Sequence, residues 1–249
     1  MFLARGGAVR GHNMEKLIGL TQKDVTETVF ICGDPRRVKD LAAYMDSPAP
    51  VAENREYVSW RGSFGGKKSL VVSHGVGASG AGVCVQELID LGARKIVRIG
   101  TAGAFQDDYE RGDVFLPSGT LRMDGTTRRL VEPEYPAVPD FSLLSAIYSA
   151  VKALDPRVKC GLSVTDDLFY AGEEKFKAYK KLNIEAVDME TSILYVLGSL
   201  NKVKTASVLF FDGNPIKWNS GDYDPKSTDL KDSMARAVPA VMGAALSLP

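Results

Sequence analysis

Histidine and cysteine are scarce in this chain, with two and three copies in 249 residues. Cys32, Cys84 and Cys160 are odd in number, far apart and each set in an apolar run, and no Cys-x-x-Cys occurs. This argues against a disulfide framework and against a zinc site. It reads instead as buried free thiols in a reducing compartment, so a cytoplasmic protein is expected. Surplus charge is also missing. Lys plus Arg and Asp plus Glu each total 31, a formal net charge of zero, without the basic excess of a nucleic-acid binder. No apolar run approaches the roughly 20 residues of a membrane span. Neither nucleic acid nor membrane is therefore an expected partner, and an anionic substrate must be caught by a few placed cations. There is no G-x-S-x-G, Walker or H-E-x-x-H sequence, which removes the common signatures of serine hydrolases, P-loop enzymes and zinc peptidases.

What is present is ordinary globular composition, 45% hydrophobic and 25% charged, without a linker or repeat. One domain over residues 14–249 is expected. Residues 1–13, with Arg5, Arg10, His12 and no acid, are set aside as a disordered extension. Short β-rich runs at Thr28–Gly33, Ser69–Ser73, Lys95–Gly100, Asp113–Pro117, Gly161–Thr165 and Thr205–Phe211 alternate with helical stretches at Asp34–Tyr44, Gly82–Leu91, Asp140–Leu154, Met189–Leu200 and Lys226–Leu246. The alternation predicts an α/β fold, a single-domain three-layer α/β/α sandwich around a mixed, mostly parallel sheet. Ligands of such sheets collect at the C-terminal strand ends.

Five stretches carry the chemistry. In Gly33-Asp-Pro-Arg-Arg37 a strand ends at a glycine and a helix begins, offering an anion free N–H groups and a positive dipole end. Arg36 and Arg37 in that first turn are misplaced unless something negative lies beside them; two solvated arginines on a capped helix are the plainer alternative. Ser73-His-Gly-Val-Gly-Ala-Ser-Gly80 matches the dinucleotide pattern G-x-G-x-x-G. The next strand, however, ends in Arg98 and Thr101 where a ribose-binding acid would be required. Arg98, charged within a buried strand, needs either a salt-bridge partner or a bound anion. Asp188 and Glu190 alternate just before a helix and would share one face, as a sugar grip or as solvated acids. Asp212 ends a very apolar strand, a place for a catalytic carboxyl, although Asp-Gly also makes turns.

Together these stretches resemble the nucleoside phosphorylase family that holds hexameric purine nucleoside phosphorylases and uridine phosphorylases. The likeness runs from about Leu17 to the end and looks greatest toward purine phosphorylases of protozoan parasites. Its landmarks are Gly33-Asp-Pro-Arg-Arg37, Asn54-Arg-Glu-Tyr57, Ser73-His-Gly-Val-Gly77, Arg98-Ile-Gly-Thr101, Phe169-Tyr170, Asp188-Met-Glu190 and Asp212-Gly. The resemblance implies that Gly33, Arg37, Arg98 and Thr101 hold phosphate, and that Arg55 reaches the phosphate of a neighbouring subunit. It implies Met189 and Glu190 at the ribose, Phe169 and Val187 at the base, and Asp212 at purine N7, with Arg98 and Asp212 the catalytic pair. It further implies a homo-oligomer, a dimer with shared active sites assembled as a trimer of dimers. No metal or organic cofactor is implied; inorganic phosphate is a co-substrate beside the nucleoside.

Two departures matter. The uracil-reading Gln-x-Arg expected after Phe169-Tyr170 is Glu173-Glu-Lys175 here, and an ionised Glu cannot donate; with Asp212 this favours purine over uridine. The family's N-terminal histidine for the ribose 5′ end is Leu17, and His12 lies five residues too early. Uridine phosphorylase, a water-using nucleosidase and a dinucleotide-binding protein remain the alternatives.

Overall fold

The computed structural model describes residues 16–249; the 1–13 extension and its His12 lie outside them. Strand β1 (Thr28–Cys32), buried throughout, runs out at Gly33. Asp34 then accepts from the Arg36 N–H at 2.9 Å, and Pro35 opens α1 (Pro35–Ala42), a side-chain cap followed by a proline that needs no donor. Next come β2 (Asp46–Asn54), β3 (Tyr57–Phe64) and β4 (Lys67–Ser73), then α2 (Ala78–Asp90), β5 (Lys95–Ala104) and β6 (Val114–Met123). The short α3 (Thr127–Leu130), α4 (Phe141–Lys152), β7 (Lys159–Asp166), α5 (Glu173–Lys181), β8 (Ala186–Asp188), α6 (Thr191–Asn201) and β9 (Lys204–Gly213) follow. A 3-10 turn at Pro215–Ser220 leads into α7 (Thr228–Ser247), continuous through Pro239.

The nine strands of the described residues form one mixed sheet in the order β2-β3-β4-β1-β5-β8-β7-β6-β9. β9 also pairs in parallel with β5, Lys95 opposite Lys204 through Thr101 opposite Phe210. The second half of the sheet thereby closes into a ring of β5, β8, β7, β6 and β9. β5 serves both halves: Thr28–Ile31 of β1 lie beside Lys95–Arg98, while Gly103 and Ala104 pair antiparallel with Val187 and Ala186 of β8. The register slips between Ala102 and Gly103. A Cβ at Gly103 would stand 2.8 Å from Pro215 and 3.2 Å from Val187, so only glycine lets these segments close.

Helices cover both faces, as expected of the sandwich. α4 and α7 bury Leu143, Ile147, Val238 and Val241 on one side. α2 and α6 bury Val85, Leu88, Ile193 and Val196 on the other. Each such side chain is worth about 1.5–3 kcal/mol of burial, and α4 starts where Asp140 accepts from the Leu143 N–H at 2.8 Å. Cys32 and Cys84 are buried, and burial raises the Cys32 thiol to about 12. Cys160 corrects the expectation of three buried thiols: it is exposed, at the start of β7 and before the point where three-residue β8 joins, Ala186 opposite Ser163.

Candidate active site

Strands β4, β1, β5 and β9 run parallel, and β1 and β9 deliver Gly33 and Asp212 from their C-terminal ends to one cavity of about 500 Å³. This is within the size range of small-molecule sites. Gly33, Arg37, Arg98 and Thr101 line one part of it; Met189, Glu190, Val187, Phe169 and Asp212 line the rest. All the residues assigned by resemblance to phosphate, ribose and base are thus together, except Arg55.

The two arginines of α1 part company. Arg36 is exposed and forked onto its own cap, 2.7 Å from Asp34. Arg37 is half-buried on the cavity wall, and its guanidinium has no ion pair among the described residues. Arg98 is 3% exposed. Its Nη2 meets Glu190 Oε2 and lies 3.4 Å from Asp188 Oδ2, while Nη1 and Nε have no partner among the described residues. Burial works against the charge, but Glu190 and Asp188 outweigh it and raise its pKa. The salt-bridge reading of Arg98 thus accounts for one nitrogen, Nη2, and leaves two others without a partner among the described residues. The guanidinium lies over Gly100, where any Cβ would run into it.

Asp188 and Glu190 do share one side, facing Arg98, but neither is solvated. Glu190 Oε1 accepts from the Gly77 N–H at 2.7 Å. This gives the glycine loop a use other than dinucleotide binding, since one of its N–H groups orients an acid. A carboxylate has about four acceptor sites, so Glu190 keeps capacity for sugar hydroxyls. Asp212 is 6% exposed at the end of β9. Burial pushes its pKa from 3.8 to about 6, against a Thr101 hydrogen bond and the Arg37 charge, which lower it. It is a carboxyl poised to carry a proton near neutrality.

The part of the cavity lined by Phe169 holds a set of aromatics that the motifs did not reveal. Phe169 packs on Trp218 at 4.8 Å between ring centroids, and Trp218 on Tyr223 at 5.1 Å. Phe176 joins them on the wall. One signal was available: Trp218, one of two tryptophans, follows Asp212-Gly closely. His74 sits fully buried behind Gly33, and desolvation followed by the Arg98 charge depresses its pKa to about 3, so it is neutral. Arg55 is exposed at the tip between β2 and β3 with φ +57°, the left-handed region, and does not line this cavity. Leu17 does not line it either. Its carbonyl accepts from Asn54 Nδ2 at 2.9 Å, which ties it beside that same tip. Among the described residues, no group of three or more His, Cys, Asp or Glu is placed to hold a metal, and no helix is long and apolar enough to cross a membrane.

Residues 27–247 match the model of the Phosphorylase superfamily. The chain belongs to that superfamily. It is 37% identical over 216 residues to a purine nucleoside phosphorylase of Plasmodium falciparum, covering 85% of this chain and 88% of that protein. A uridine phosphorylase of Treponema pallidum is 34% identical over 236 residues, covering 90% and 92%. Among solved structures, the purine nucleoside phosphorylase of Toxoplasma gondii in complex with immucillin-H superposes with a TM-score of 0.89 at 30% identity, over 94% of this chain and 96% of that one.

Proposed function

We propose that this chain is a purine nucleoside phosphorylase, transferring the pentosyl group of purine (deoxy)ribonucleosides to inorganic phosphate and releasing the free base. The observation that carries this reading is Asp212, a buried carboxyl with its pKa near 6 in the same cavity as Arg37 and Arg98. Cleavage of an N-glycosidic bond develops positive charge on the sugar and negative charge on the base. Phosphate held by Gly33, Arg37, Arg98 and Thr101 supplies an anionic nucleophile for the first. Asp212 gives its proton to purine N7 and neutralises the second, while Met189 and Glu190 fix the ribose and Phe169 and Val187 bound the base. These steps need no metal or organic cofactor.

The site is shared between subunits in this proposal. Arg55 and Leu17 are held side by side by Asn54 and do not line their own cavity, which suits a dimer lending both to its neighbour, repeated as a trimer of dimers. The buried thiols of Cys32 and Cys84 suit work in the cytoplasm. Uridine phosphorylase is the competing reading, and uracil has no N7 for Asp212 to protonate. Paired assays with inosine and uridine at saturating phosphate decide between them. Faster inosine cleavage is expected, and uridine cleavage at equal or greater rate would reverse the assignment.

A further inference from the structure

Asp188 has no task in this scheme, yet it is buried beside Arg98 and surrounded by donors. Thr165 Oγ1 donates to Oδ1 at 2.8 Å, the Thr191 N–H to Oδ2 at 3.0 Å, and Thr191 Oγ1 to the same oxygen. Thr165 is itself pinned by the Ser192 N–H at 3.0 Å. The carboxylate is therefore aimed by β7 and α6 before Arg98 is considered. Arg98 in turn has two acids on a single nitrogen, Nη2, and, among the described residues, none on Nη1 or Nε. Of those acids, Glu190 is the one a sugar diol would draw upon, whereas Asp188 is held in place by its threonines beside Arg98.

We propose that Asp188 is a positioning residue: it anchors Arg98 through Nη2, so that Nη1 and Nε stay turned toward phosphate when Glu190 turns to the ribose. The inference rests on the assignment of Arg98 to phosphate. It also sets two physical effects against each other. An acid near an anion site repels the anion, so if Asp188 did nothing else its removal would tighten phosphate binding. An anchor, once removed, lets the guanidinium wander, and displacement of about 1 Å can cost up to a hundredfold.

The test is steady-state kinetics with phosphate varied, on the full chain and on Asp188→Asn. The expected result is a phosphate KM raised about tenfold with kcat at saturating phosphate held within about threefold, a split that marks lost binding rather than lost chemistry. An unchanged or lowered phosphate KM overturns the proposal. Thr165→Val removes the hydroxyl that aims Asp188 without altering charge, and should raise phosphate KM in the same direction, about threefold. If Asp188→Asn does not fold, an unchanged phosphate KM in Thr165→Val overturns the proposal by itself. Cleavage by the unaltered enzyme that ignores phosphate would instead overturn the phosphorylase reading, a result distinct from any of these.

Discussion

Replacing Asp212 with asparagine separates what this acid gives the reaction from what it takes from the fold. Burial lifts the carboxyl from 3.8 to about 6, and a rise of about two units corresponds to about 3 kcal/mol. Because the folded-state pKa is the higher one, the folded protein favours the neutral acid. The stability this provides is complete below about pH 4 and is lost as pH rises through about 6. Above that pH the ionised group opposes folding by up to about 3 kcal/mol, less whatever relaxation and water recover, so about 1–3 kcal/mol is a fair range. Asparagine keeps the shape and never ionises. Asp212→Asn should therefore be more stable than the unaltered chain by about 1–3 kcal/mol at pH 8 and gain little at pH 4.5, measured by urea unfolding at both values. The same variant should lose roughly 10²–10⁴ in inosine turnover, the usual contribution of a general acid. An equal stability difference at the two pH values, or full turnover, would refute the reasoning.

Three other outcomes follow from the same geometry. Arg98→Ala leaves Asp188 and Glu190 without their buried counter-charge, so thermal melts should show a loss of about 3–5 kcal/mol along with the loss of phosphate use. Arg55→Ala should weaken phosphate use, and co-expressing it with Asp212→Asn should restore activity above either variant alone, since some mixed sites then hold both native residues; no recovery would argue that sites are not shared. Leu17 offers the sugar no hydrogen bond, and one neutral bond is worth about 0.5–1.5 kcal/mol, so 5′-deoxy and 5′-methylthio purine nucleosides should react within about tenfold of their parents. Deleting residues 1–13 should leave that ratio unchanged, and a lost preference for the 5′-hydroxyl would assign the contact to His12.

The sequence was most legible where local chemistry dictates structure. Asp34-Pro35 announced a capped helix, and the alternation of apolar runs announced the sheet and its covering helices. The hairpin of β2 and β3 escaped notice because β2 is an exposed edge strand carrying Pro48 and Pro50, which edges tolerate and central strands do not. β8 escaped because three residues show no period. At the site, single-residue chemistry pointed to Gly33, Arg98 and Asp212. The partition of Arg98 between two acids, the use of Gly77 to orient Glu190 and the stacking of Trp218 on Phe169 depend on contacts between segments 49 to 113 positions apart, which no local pattern encodes. Cys160 misled because an apolar run reports a strand, whereas burial depends on how far the neighbouring strand extends.

The most direct measurement is the product of inosine cleavage with and without phosphate at neutral pH. Ribose 1-phosphate formed in step with hypoxanthine, and no base released in phosphate-free buffer, is the expected result. Free ribose formed at the same rate in both buffers would contradict it, because Arg37 and the two nitrogens of Arg98 left without a partner among the described residues would then have no anion to hold.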